Sequence, residues 1–227
     1  MTTGTAIKQT QELLRDKRRD GDFAGQLAIY KELGRLWALQ GAYTEAAGNL
    51  EKAARVAEYL AMPNETEAIY QSLIAIYEHA GDRDAVIKVY GLLHIHWNLM
   101  REVARARQYN EVRLELVAKQ IGKPHPSFEE RLQYELAFSS KDLDSKRKQY
   151  TRLLKGDEAP TVPDEYVEAC DFLVKECLIE GQYDDALHYA STCEQAMENP
   201  GAWASPEGIE SIRNLKQMVE QKRREDS

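Results

Sequence analysis

Three stretches of this 227-residue chain repeat one pattern: an apolar stripe at helical spacing, a glycine, then a second stripe. In the first, Tyr30, Leu33, Gly34 and Trp37 fall at i, i+3, i+4 and i+7, which places them on one face of an α-helix. Gly41 follows, a residue that readily takes the left-handed conformation that ends a helix. Tyr43, Ala46, Leu50 and Ala53 then form the face of the next helix. Two stripes joined by so short a turn bury themselves as an antiparallel pair, and the small residues Gly34, Ala46 and Ala53 let the two axes approach closely. The pattern returns with Gly81, 40 residues after Gly41, between Tyr70, Leu73, Ile74, Tyr77 and Val86, Tyr90, Leu93. It returns again around Gly181, between Cys170, Leu173, Val174, Cys177 and Tyr183, Ala186, Ala190, Cys193. A fainter copy runs through Leu132, Leu136, Ser140, Leu143, Tyr150 and Leu153. Repeats of this length stack on their neighbours into solenoids.

The seven prolines fall at four places: Pro63, Pro124 with Pro126, Pro160 with Pro163, and Pro200 with Pro206. The stretches between them are rich in strong helix formers, and none alternates with the period of a strand. The expected fold is all-α: a right-handed α-solenoid of about four to five helix hairpins, read as one domain over 1–227. Regular repeats are expected at about 27–61, 65–98 and 163–198. Residues 5–19 read as an N-terminal cap helix. Ile209, Ile212, Leu215 and Val219 give a C-terminal cap helix over about 205–225 its single apolar stripe. The centre, about 99–160, loses the rhythm. Tyr109-Asn110-Glu111 reads as a turn there, leaving 27 residues after Gly81, too few for two full helices and a loop. Ala85 stands one position early for the small residue, which implies a looser second pair.

The stretch LGRLWALQGAYTEAAGNLEKAARVAE resembles a tetratricopeptide repeat. Leu33, Gly34, Gly41, Tyr43, Ala46 and Ala53 match that family's pattern, and Tyr30 and Trp37 keep its aromatic character. LIEGQYDDALHYA matches its turn. The 40-residue spacing and the phrase around Gly122, His125 and Pro126 are similar to the longer repeats of the kinesin-light-chain type. The resemblance implies hairpins whose first helices line a peptide-binding groove, in a family most of whose members are non-catalytic scaffolds.

Charge and composition narrow the function. A formal net charge of −8 disfavours a general nucleic-acid binder, which must neutralise phosphates. No apolar run approaches the roughly 20 residues of a membrane-spanning helix, and the first residues lack a signal peptide's apolar core. Three cysteines in such a chain point to reduced thiols and a cytoplasmic location.

No catalytic residue, metal site or cofactor is expected. Cys170, Cys177 and Cys193 occupy packing positions of the repeat, as small buried hydrophobes do. His94 and His96, two apart on a helix, point to different sides and cannot chelate together. Asp184 and His188 are four apart but make at most half a metal site, and His125 sits between prolines. No phosphate loop, nucleophile elbow or metalloprotease helix occurs. The cations Arg101, Arg105, Arg107, Arg113, Lys119 and Lys123 read as a solvated face interleaved with Glu102, Glu111 and Glu115.

The expected function is therefore a protein–protein interaction module, an adaptor, scaffold or assembly subunit, holding a peptide segment or helix of a partner protein. An exposed edge would also permit a homo-oligomer. The groove-facing residues implied by the repeat are Lys31 and Arg35, then Gln71 and Ala75, then Asp171 and Lys175. Lys31 fits one position of the family's carboxylate clamp, but Arg35 and Ser72 stand where it has asparagines, so no clamp of that kind is expected. The rival reading is a ligand-responsive regulator or helical enzyme with a pocket in the irregular centre.

Overall fold

The computed structural model describes residues 3–155, 161, 165–198 and 206–225. Among them the chain is all-α, with ten helices: α1 (Thr3–Arg19), α2 (Phe23–Leu39), α3 (Tyr43–Tyr59), α4 (Pro63–Ala80), α5 (Arg83–Leu99), α6 (Val103–Ile121), α7 (Phe128–Leu154), α8 (Glu165–Ile179), α9 (Tyr183–Glu198) and α10 (Pro206–Glu225). They gather into two compact units, Met1–Phe138 and Ser139–Ser227, with the boundary inside α7.

The first unit is an α-solenoid in which each helix from α1 to α6 packs on the next in chain order. Its regularity lies in the turns. Left-handed residues stand at Gly21, Gly41, Ala61, Gly81, Arg101 and Gly122, with φ between 52° and 79°. One therefore ends a helix about every twenty residues. At each the amide of the next residue bonds back into the last turn, as Ala42 N–H does to the Trp37 carbonyl (3.0 Å) and Glu102 N–H to that of Trp97 (2.9 Å). Asp22 and Asp82 cap the helices that follow, accepting from the amides of Gly25 (2.8 Å) and Ala85 (3.0 Å).

This grid corrects the reading of the centre. Tyr109, Asn110 and Glu111 lie inside α6 and make no turn. The chain reverses instead at Met100-Arg101-Glu102 and next at Gly122, 41 residues after Gly81, so the hairpin rhythm runs past residue 99 unbroken. The interval from Asp82 to Arg107 holds all of α5 and the start of α6. Rhythm is lost only at α7, a single 27-residue helix where a hairpin was expected. The side chains of Leu132, Leu136 and Ser140 lie outside the described ones. Of the rest of that faint copy, Tyr150 and Leu153 are buried and Leu143 is exposed.

The apolar stripes form the core. Tyr30, Leu33, Ala46, Leu50 and Ala53 are buried in the first hairpin, and Tyr70, Leu73, Ile74, Val86 and Leu93 in the second. Gly34 packs against Leu50: a Cβ at position 34 would stand 2.8 Å from Leu50 Cγ. Helix α1 covers the open end, with Ile7 buried against Ile29, Leu33 and Leu36. In the second unit Cys170, Leu173, Val174, Ala186, Ala190 and Cys193 share a core with Tyr150 and Leu153 of α7 and Ile212 and Val219 of α10. There α10 packs on both α8 and α9, which closes a small bundle.

Candidate functional site

The first helices of the hairpins in the solenoid are α2, α4 and α6. A solenoid buries each helix through the stripe that meets its neighbours and leaves another face in water. On α2 that face carries Lys31 and Arg35, both exposed. Neither is a bare cation. Lys31 forms an ion pair with Glu65 of α4. Arg35 grips both carboxylate oxygens of Glu32 at 2.7 and 2.8 Å, and holds that carboxyl below its usual range. On α4, Gln71 and Ala75 are exposed; the Gln71 amide donates to the Tyr109 hydroxyl of α6 at 3.4 Å. The faces of α2, α4 and α6 are thus tied in series by polar contacts. Asp171 and Lys175 belong to the second unit and pair with each other along α8 at 2.7 Å. Of the expected groove residues, Lys31, Arg35, Gln71 and Ala75 therefore belong to the first unit and Asp171 and Lys175 to the second.

One cluster escaped the sequence reading. Glu67, only 9% exposed, sits on α4 and receives the Tyr109 hydroxyl and the Arg105 guanidinium (2.7 Å), both from α6. The same guanidinium lies 3.8 Å over the ring of Trp97, itself buried on α5. Cation–π stacking and a charge-assisted pair therefore hold one arginine from two sides. Burial and the Glu67 carboxylate push the Tyr109 phenol up, so the hydroxyl stays a donor. The signal was present, since Arg105 and Tyr109 are four apart on one helix face. Placing a turn at Tyr109 hid it.

The histidines serve as fasteners. His94 donates to the Ala106 carbonyl at 2.9 Å and His96 to that of Pro63 at 3.2 Å, tying α5 to α6 and to the start of α4. His125 is exposed. Asp184 pairs with Arg223 at 3.1 Å. Among the described residues no group of three or more His, Cys, Asp or Glu side chains could hold a metal ion.

The three cysteines are free and buried. Cys193 donates to the Tyr166 carbonyl at 3.0 Å, and its thiol is pushed far up by its contact with Cys170 and by burial. Burial and nearby carboxylates also raise Cys177. A shallow recess of about 80 Å³ in the second unit is lined by Cys177, Glu176, Glu180, Asp185 and Arg147. Arg147 fills its charge requirement by bridging Glu176 (2.7 Å) and Glu180 (2.9 Å). Thiolates are the nucleophiles and metal ligands. The raised Cys177 and Cys193 thiols are poor nucleophiles, and the burial of all three suits the packing role read from the sequence.

Of the basic run, Arg105 is taken by Glu67, Arg113 donates to Asn110 at 3.2 Å, and Lys123 pairs with Glu130. Among the described residues no helix is long and apolar enough to cross a membrane.

The sequence matches no protein-family model and no curated protein. Among solved structures it is similar to BtubC (BKLC) from P. vanneervenii, with 16% identity over 97% of this chain and 84% of that one and a TM-score of 0.38. A likeness at that level adds nothing to the reading of the site.

Proposed function

We propose that the chain is a non-catalytic interaction module of the tetratricopeptide type, an adaptor, scaffold or assembly subunit. It takes a peptide segment or helix of a partner protein on the faces of α2, α4 and α6. The observation that supports this is the series of cross-helix contacts, Lys31 to Glu65 and Gln71 to Tyr109, on otherwise exposed faces. Polar groups already satisfied and held in place lose little further freedom when a partner arrives, which is how preorganisation favours binding. The partner must exchange its own polar groups for these internal pairs, so it is recognised by a pattern of carboxylates and amides. Three free, buried thiols suit a reducing compartment such as the cytoplasm.

The test is an affinity capture of partners by the full chain, repeated with Lys31→Glu and Arg35→Glu together. Specific partners of the wild type are expected to be lost. A third form that adds Glu65→Lys restores an ion pair across α2 and α4, which separates loss of local order from loss of recognition. Partners retained unchanged by the double reversal would show that this face is not where they bind.

A further inference from the structure

At the turn between α5 and α6 the solenoid leaves a group of large apolar side chains in water. Ile95 is 54% exposed, Leu99 74%, Met100 49% and Val103 58%. Ile95 and Leu99 are four apart on α5, so they share a face. Val103 and Arg107 are likewise four apart on α6. The bond from His96 to the Pro63 carbonyl sets this turn against the start of α4, where Met62 is a further 41% exposed. Elsewhere exposed residues such as Leu39 and Ile179 stand singly at helix ends, which needs no explanation. A group of apolar side chains astride one turn does.

The charges around it differ from the rest of α6. Arg105 is consumed by Glu67 and Trp97. Arg101, in the turn itself, and Arg107, beyond Val103, are exposed, and their guanidinium groups make no ion pair or hydrogen bond among the described residues. The turn's own carboxylate, Glu102, leaves the patch with a positive excess in a chain whose formal charge is −8.

We infer that this turn is a docking site for an acidic amphipathic segment of a partner protein. Its apolar face covers Leu99, Met100, Val103 and Ile95, and its carboxylates reach Arg101 and Arg107. Charge chooses this occupant over two others. A second copy related by a two-fold axis would bring the arginines of one copy towards those of the other. An anionic bilayer would have to draw in a chain of net negative charge. This site is distinct from the faces of α2, α4 and α6.

The probe is a labelled peptide with leucines at helical spacing and glutamates between them, titrated with the full-length protein and read by fluorescence anisotropy. Comparison peptides carry lysine for glutamate, or the same residues scrambled. The acidic peptide should bind, and more tightly than either control. Arg101→Glu with Arg107→Glu should weaken it by roughly tenfold or more, and added salt should weaken it as well. Leu99→Ser with Val103→Ser should remove binding. All four side chains are exposed, so these variants should keep the wild-type circular dichroism spectrum. Lys31→Glu with Arg35→Glu should leave the affinity unchanged. Equal binding of the three peptides, indifference to the arginine reversal, or loss in the Lys31/Arg35 variant would each overturn the assignment. So would a wild-type dimer, or binding to phosphatidylserine vesicles, that Leu99→Ser with Val103→Ser abolishes.

Discussion

Gly34 offers a measurement of how closely α2 and α3 pack, because another glycine serves as its control. Both Gly34 in α2 and Gly48 in α3 lie in helix interiors. Replacing an interior helical glycine by alanine gains about 0.8–1.0 kcal/mol from backbone propensity alone. At Gly48 a new Cβ meets nothing within 4 Å, so the whole gain should appear. At Gly34 it would stand 2.8 Å from Leu50 Cγ, 2.9 Å from Leu50 Cδ2 and 3.4 Å from the Ala46 carbonyl oxygen. Leu50 is 7% exposed, and its Cγ cannot swing clear without moving the side chain's root. Overpacking of that kind costs about 1–3 kcal/mol. Gly34→Ala should therefore range from neutral to about 2 kcal/mol destabilising. The difference between the two variants isolates the clash, since the propensity gain cancels.

Urea unfolding of the full chain, followed by circular dichroism at 222 nm, reads both. Both substitutions fall in the same unit, so any stepwise unfolding affects them alike. A double-mutant cycle sharpens the test. With Leu50→Ala already in place the clashing atoms are gone, and Gly34→Ala should become stabilising by about 1 kcal/mol. Should Gly34→Ala stabilise the wild type as much as Gly48→Ala does, or stay unfavourable beside Ala at position 50, the close-packing account of this hairpin is wrong.

Arg101→Gly should relieve a left-handed strain of about 1–2 kcal/mol, less roughly 0.4–1 for the freer unfolded chain. The midpoint should rise by the equivalent of up to about 1.6 kcal/mol while affinity for the acidic peptide falls. Gly81→Ala is its mirror: φ is 74° and a Cβ there meets nothing within 4 Å, so a loss of similar size should come from backbone strain alone. Tyr134 donates to Asp84 at 3.0 Å, and burial together with that bond raises its phenol to about 12. Because the folded value is raised, its contribution is whole below about pH 10 and is lost between there and pH 12. Tyr134→Phe should flatten that part of the alkaline unfolding curve. In the second unit Arg213 and Lys216 lower the Glu194 carboxyl from α10. That contribution is present above the ordinary glutamate value and lost as pH falls through the lowered one, so Glu194→Gln should blunt the acid-induced loss of helix.

How much of this was legible in the sequence depended on whether a feature is written in side-chain type or in backbone conformation. Buried stripes are written in type: Tyr30, Leu33, Leu73, Leu173 and Ala190 were assigned to the core by spacing and are buried. So are the cap helices, since Ile7, Ile212 and Val219 each face a core on one side only. Turns are legible where glycine marks them, at Gly41, Gly81 and Gly181. They are invisible at Ala61 and Arg101, because an alanine or arginine held at positive φ leaves no trace in composition. The misplaced turn at Tyr109 followed from that silence. It hid Glu67, Arg105 and Tyr109, whose meeting depends on α6 being one uninterrupted helix.

The two silent turns also lie on one edge. Gly21 ends the cap helix and Ala61 and Arg101 end second helices, each leading into the next first helix, whereas Gly41, Gly81 and Gly122 end first helices at the opposite edge. At the hairpin-closing edge every left-handed position is glycine, the residue that relaxes the backbone and presents nothing to solvent. At the other edge Ala61 and Arg101 keep side chains where glycine would be more stable, beside exposed Met62, Leu99, Met100 and Val103. Folding alone would favour glycine at Arg101, since the same backbone is built from it at Gly81. A side chain retained against that preference, among apolar residues left in water, makes sense if the edge is covered by something outside the chain. Arg101→Gly separates the two demands, because stability should rise in the same protein in which acidic-peptide affinity falls. Were both to rise, the arginine would serve neither folding nor docking, and the edge would need another explanation.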